Sequence, residues 1–295
     1  MFTIIIPVYN EQNYIVETIA CIKKQTYNKF KVLISDNCST DKTYELLQYE
    51  INNDCRFKCY RQNENIGICR NFYFLLNKVK TKYVLYLGGH DMVMPNYLEE
   101  CLIKIRAHKN ISLFTCKQEI LDYRNIQLKA HNVDLDTSNL NKADGYRKII
   151  SQKNIGSSIL GVYDLKVLKM TLLGNMRGGD IMLAIIAQSQ GIIVQSEKLL
   201  FKRVLNHNET KIERLERYKE YKLCKNPSKR RQNVVCDTVN ILIKSENLVL
   251  NEVVFIFRML SSNFCKINPA DVLKYCIEVK DLQLFYFYMK IFFLK

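Results

Sequence analysis

Apolar residues in this chain come in short unbroken runs that end in polar ones, and between the runs they recur at every third or fourth position. Residues 2–10 read FTIIIPVYN, a continuous apolar run of the kind that forms a strand buried on both faces. Ile15, Ile19 and Ile22 follow at helical spacing, and FKVLIS (30–35) is a second buried strand. Ser39 or Thr40 then reads as the cap of a helix running through Tyr44 and Leu47. RFKCYRQ (56–62) alternates like a strand nearer a sheet edge, and the pattern over 67–78 is helical. YVLYLGGHD (83–91) is a further buried strand, and Pro95 opens the next helix. Strand alternating with helix predicts an α/β fold with a mainly parallel sheet, right-handed crossovers and helices on its faces.

Beyond residue 110 the pattern is mixed. SLFTCKQ (112–118), SSILGVY (157–163) and KLLFKRVL (198–205) read as strands, while KADGYRKIIS (142–151) and DIMLAIIAQSQG (180–191) read as helices. Residues 214–231 are basic, with Asn226 and Pro227 marking a break. The expected organisation is a domain over 1–222 and a helical C-terminal extension over 223–295. That extension holds helices over 234–243 and 248–260 and a third opened by Asn268 as cap and Pro269. The final run LQLFYFYMKIFFLK (282–295) is shorter than the roughly 18 residues of a spanning helix. It reads as an interfacial helix making peripheral membrane contact, or as a buried terminal helix or partner contact.

Composition narrows the partners. With 295 residues the chain can bury a full α/β core plus an appendage, and its net charge of +15 calls for anionic partners: nucleic acid, acidic headgroups or a nucleotide diphosphate. No nucleic acid is expected, because the basic stretch lacks a recognition motif. The eleven cysteines include no Cys-x-x-Cys pair and no zinc spacing, so they read as reduced thiols. No basic leader precedes the apolar run at Phe2, and the expectation is a cytoplasmic protein.

Two parallel strands whose carboxyl ends turn polar bring Asn10 and Asp36 side by side, where open α/β sheets bind ligands. The Pro7-Val8-Tyr9-Asn10 turn, with an aspartate ending the second strand, resembles the opening of the family 2 glycosyltransferases. The resemblance implies a GT-A-like fold and an inverting transfer from a nucleotide-sugar donor, with a UDP-sugar favoured. The implied acceptor is a hydroxyl of a cell-surface glycan or a lipid-linked oligosaccharide at the inner membrane face.

Residue by residue, the resemblance assigns donor binding to Pro7, Tyr9, Asn10 and Asp36, with Asp36 meeting the base. Ser39, Thr40 and Asp41 read as capping residues. NENIGICRNF (63–72) adds Asn65, Gly67, Arg70 and Asn71; Arg70 reads as a phosphate or ribose contact or as a solvated surface charge. GGHD (88–91) occupies the place of the family's acidic metal motif, with a glycine at the first carboxylate position and His90 where a metal-binding aspartate is common. The implied cofactor is a divalent metal, Mn or Mg, held by Asp91 and by His207 of KLLFKRVLNHNET. Arg203 of that segment, with Lys211 and Arg217, would neutralise the leaving diphosphate. RGGDIMLAIIAQSQG (177–191) resembles the segment bearing the catalytic base, which makes Asp180 the base, and a helix-start carboxylate is equally an ordinary N-cap. A non-catalytic scaffold that kept the fold is the alternative the weakened acidic motif leaves open.

Overall fold

The structure, a computed structural model, describes residues 1–122, 124, 126–128, 133–152, 155–171, 179–205, 227–244, 250–263 and 288. His207, Lys211, Arg217 and the helix expected after Asn268 lie outside the described residues.

The chain opens with β1 (Phe2–Val8), α1 (Ile15–Lys23), β2 (Phe30–Asp36), α2 (Thr43–Ile51), β3 (Phe57–Arg61), α3 (Ile68–Leu76) and β4 (Tyr83–Tyr86). These four strands lie in the order β3-β2-β1-β4, all parallel. Ile4, Ile6 and Val8 of β1 pack into one core with Ile15, Ile19 and Ile22 of α1, while Ile5 packs into a second core on the other face. That two-faced burial is why β1 is apolar throughout. Leu87 donates its N–H to the Ile5 carbonyl, so odd-numbered β1 residues bond toward β4. Pro7 falls beyond the last β4 ladder position, where its missing N–H removes no ladder bond.

β5 (Met92–Val93), α4 (Tyr97–Ala107), β6 (Ile111–Asp122), β7 (Gln127–Leu128), α5 (Lys142–Ser151), β8 (Val162–Asp164), α6 (Leu165–Met170), α7 (Gly179–Gln190) and β9 (Ile192–Leu205) continue the fold. The sheet extends as β4-β8-β6-β9-β5, with β7 paired to β6. Here the parallel pattern changes: β8 runs antiparallel to β4 and β6, β5 antiparallel to β9, and β7 antiparallel to β6. The sheet is therefore mixed, a parallel half joined to a half in which β6 and β9 remain parallel. SSILGVY divides into a 3-10 turn (Gly156–Ile159) and the short β8. The GGHD residues leave the strand, because β4 ends at Tyr86. At the start of α2, Asp41 accepts the Thr43 N–H at 2.9 Å, as expected of a capping residue, whereas Ser39 turns back to Asp36.

α8 (Pro227–Lys244) begins at the proline expected to break the chain, which suits a first helical position. Val235 and Val239 of α8, and Ile256 and Phe257 of α9 (Leu250–Asn263), belong to the same apolar core as Ile185 and Ile186 of α7. Glu252 ties α9 to α5, accepting from Tyr146 at 3.0 Å and pairing with Lys142 at 2.7 Å. Tyr288 is buried edge-on to Phe257, with ring centroids 5.0 Å apart. The C-terminal helices thus extend the main core. Among the described residues no helix is long and apolar enough to cross a membrane, and none of the eight described cysteines forms a disulfide.

One glycine carries a fold-level prediction. A Cβ at Gly161 would lie 2.0 Å from the backbone oxygen of Phe114, where β8 meets β6, and that atom cannot rotate away. Gly161→Ala is expected to destabilise the fold by about 1–3 kcal/mol, read as a lower urea midpoint at unchanged slope. An unchanged midpoint would contradict this packing.

Candidate functional site

Strand β1 has β2 on one side and β4 on the other, so the chain reverses its direction of sheet growth at β1 and opens a crevice beyond its carboxyl end. On the β2 side the two loops are stitched together. Asn10 adopts a left-handed φ of 55°, which asparagine tolerates, and its Oδ1 accepts the Thr40 N–H at 2.9 Å. The Asn10 N–H reaches Ser39 Oγ at 3.0 Å, and the Glu11 N–H reaches Thr43 Oγ1 at 2.7 Å.

Asp36 has no exposed surface. Its oxygens accept from Ser39 N–H and Oγ–H, and Arg61 Nε lies 3.4 Å from Oδ2, with that guanidinium stacked on Tyr44. Asp36 therefore braces the β2–α2 turn, and a contact to a base requires Ser39 or Arg61 to release it. Asn71 is likewise enclosed: it accepts from Ser35 Oγ at 2.6 Å and donates to the Ser35 carbonyl at 2.9 Å, bolting α3 to β2. The expected donor contact at Asn71 is thus a structural tie. Asn65 Oδ1 accepts from Asn37 Nδ2 at 2.7 Å and from the Gly67 N–H at 2.9 Å, and Gly67 takes a φ of 86° to start α3. Tyr9, Asn65 and Arg70 are exposed at this rim, and Pro7 is half-buried within β1.

On the β4 side stands a residue that the sequence reading passed over. Glu11 Oε1 lies 2.8 Å from His90 Nδ1, and the Tyr14 ring meets the imidazole edge-on at 6.3 Å. Gly89 makes room for this pair, since a Cβ there would sit 2.8 Å from Glu11 Cγ and 2.9 Å from Val8 Cγ1. Burial alone would push the His90 pKa down. The Glu11 hydrogen bond and the charges of Asp91 and Glu11 outweigh that effect and the opposition of Arg203, raising it from 6.5 to about 9. The only signal for Glu11 was an acid directly following Asn10 at a strand end.

Asp91 is 5 % exposed and accepts the Gly88 N–H at Oδ2 and the Val204 N–H at Oδ1, both at 3.3 Å. Arg203, on β9 opposite Ile120, exerts its charge on His90, on Tyr86 and on Asp180. Asp180 lies in the first turn of α7. It is exposed at the surface, and neighbouring protein still desolvates it enough to raise its pKa, with Arg203 opposing the rise. His90, Asp91, Arg203 and Asp180 thus belong to one electrostatic neighbourhood. A separate polar cavity of about 440 Å³, lined by Glu17, Met92, Glu119, Leu121, Gln127 and Lys202, adjoins it.

A divalent metal is the cofactor the fold implies, and these residues do not fit one. Both Asp91 oxygens take backbone N–H groups, His90 is engaged with Glu11, and the free Glu11 Oε2 is sealed from water. Hard cations need several open oxygen ligands and keep part of their water shell. Among the described residues no group of three His, Cys, Asp or Glu side chains is disposed to hold a metal.

The Glu11–His90 pair sets a pH dependence. Raised in the folded state, the His90 pKa contributes stability that is fully present below pH 6.5 and is lost as pH rises through about 9. Wild type should therefore lose stability relative to Glu11→Gln across that window, measured as urea midpoints at stepped pH. A difference independent of pH would contradict the ion pair.

The comparisons with known proteins agree with this fold. The family model described as "Glycosyl transferase family 2" matches residues 3–168. The glycosyltransferase GlyG of Streptococcus pneumoniae is 26% identical over 99 residues, 34% of this chain and 33% of GlyG. The Staphylococcus aureus protein TarS, a poly(ribitol-phosphate) beta-N-acetylglucosaminyltransferase, is 29% identical over 112 residues, 36% of this chain and 19% of TarS. The match thus spans a third or less of either relative. The structure of S. aureus TarS 1–349 with UDP-GlcNAc superposes with a TM-score of 0.63 at 15% identity, covering 98% of this chain and 91% of that one. The mannosyltransferase PcManGT of Pyrobaculum calidifontis, solved with GDP-Man and Mn2+, gives 0.53 at 14% identity, covering 96% and 76%. With the family model covering more than half of its residues and a GT-A fold shared with these structures, the chain belongs to glycosyl transferase family 2.

Proposed function

We propose that this chain transfers a sugar, with inversion, from a UDP-sugar to a hydroxyl of a cell-surface glycan or lipid-linked acceptor at the inner face of the membrane. What carries the reading is Arg203, whose charge bears both on the cluster at the β1–β4 crevice and on Asp180. The crevice cluster and Asp180 thus share a charged neighbour. The S. aureus TarS complex with UDP-GlcNAc supports uridine as the nucleotide.

The donor lies across the crevice, its uracil toward the exposed Asn65 side of the rim and its sugar toward α7. Asp180 takes the acceptor hydroxyl proton as that oxygen bonds to the anomeric carbon. The bond from that carbon to the diphosphate oxygen breaks at the same time, and its electron pair leaves with the nucleotide diphosphate. Attack from the face opposite the leaving group inverts the configuration, and no covalent enzyme intermediate forms. The place of Asp180 in the first helical turn fixes the backbone that carries the carboxylate, which favours an aimed base.

Asp180→Asn is expected to lower kcat by about a hundredfold or more while the donor Kd changes by less than about threefold, in steady-state transfer assays and calorimetry. Because Asp180 is raised from the ordinary value of 3.8, activity in wild type should fall as pH drops through a point above it. Full transfer activity in the variant, or an acid limb at or below 3.8, would remove Asp180 from the role of base.

A further inference from the structure

Beside the crevice, the polar cavity of about 440 Å³ has a lining that the transfer chemistry leaves unused. Four neighbouring strands build it: Leu121 pairs with Gln127, Glu119 with Lys202, and Lys202 with Met92, across β7, β6, β9 and β5. Directly paired residues share a face of a sheet, so these five side chains line one surface, and Glu17 of α1 bounds it. Glu119 and Lys202 lie 3.4 Å apart. Among the described residues the side chains of Glu17, Glu119, Gln127 and Lys202 make no other hydrogen bond or ion pair, so their polar atoms are free to meet a ligand. Strand β8 runs antiparallel to both β4 and β6, so β6 and β9 run with β4, and Glu119, Leu121 and Lys202 stand near the carboxyl ends of their strands. The cavity therefore opens at the same carboxyl edge of the sheet as the crevice, and its Met92 directly follows Asp91.

From this lining we infer that the cavity binds a neutral sugar unit and, resting on the transfer reading above, that this unit belongs to the acceptor glycan at a point away from the hydroxyl that reacts. A sugar hydroxyl both donates and accepts, so a ring carrying several of them satisfies the two carboxylates, the ammonium and the amide together. Its C–H faces suit Leu121 and Met92. A nucleotide diphosphate suits the cavity poorly, because two carboxylates against one ammonium leave the lining net negative. The volume lies within the roughly 300–1,000 Å³ of small-molecule sites. A glycan held here follows the carboxyl edge toward the crevice, and the enzyme thereby selects a chain by a sugar that it does not modify.

The test is saturation-transfer NMR on the full chain in buffer containing Mg2+, with maltose, cellobiose, lactose and N,N′-diacetylchitobiose as probes and UDP alongside. The expected result is saturable binding of at least one disaccharide, with a Kd of about 10 mM or tighter, that UDP does not displace. Glu119→Ala should weaken it about tenfold or more. Because that change also strips Lys202 of its partner, Gln127→Trp, which fills the cavity from an exposed position, should do the same. UDP binding should stay within about twofold in both variants. Binding of none of the disaccharides would overturn the inference, and UDP binding in the same sample would leave the transfer reading standing. A disaccharide bound where UDP is not would remove the transfer reading and the acceptor assignment, while the cavity would stand as a sugar site. Displacement of the disaccharide by UDP, or binding undiminished in either folded variant, would overturn the inference.

Discussion

Strand β1 lies hydrogen-bonded in parallel register between two strands that enter the sheet from opposite sides, and every feature of the site depends on that constraint. Val8 pairs with Asp36 on one side and Ile5 with Tyr86 on the other. The loop leaving β1 must therefore meet the loop after β2 and the turn after β4 within a few residues. Asn10 binds toward the first and Glu11 toward the second. A slip of one residue would turn Ile4, Ile6 and Val8 into the opposite core and carry Asn10 and Glu11 away from both partners.

Much of the parallel half was legible because a strand buried on both faces is apolar without interruption and its helices repeat at fixed spacing. β1, α1, β2 and α3 follow directly from those patterns. The antiparallel strands were less so: β5 and β7, of two residues each, leave no period to read, and β8 takes up only the end of the strand read at SSILGVY. β9 reads as beginning near Lys198 because Glu197, Lys198 and Leu199 are exposed, yet it starts at Ile192, and its ladder with β6 shifts register beside those residues.

At the site, residue types were legible and their commitments were not. An aspartate ending a strand reads as a ligand contact, but Arg61, distant in sequence, closes over Asp36. Asn71 sits on the expected helix and spends its amide on Ser35, a residue of the neighbouring strand. Glu11 and His90 are 79 positions apart, so only the β1–β4 pairing brings them together. Asp180 needed no such contact to be singled out, and its relation to Arg203 emerges only once β9 lies beside β6 and α7 crosses above.

The most direct measurement of the central claim is a crystal structure of the chain with a bound nucleotide-sugar. The account predicts the nucleotide across the β1–β4 crevice, with the anomeric carbon open toward the Asp180 carboxylate. A donor seated in the cavity lined by Glu17, Glu119 and Lys202, or one whose sugar points away from α7, would contradict it.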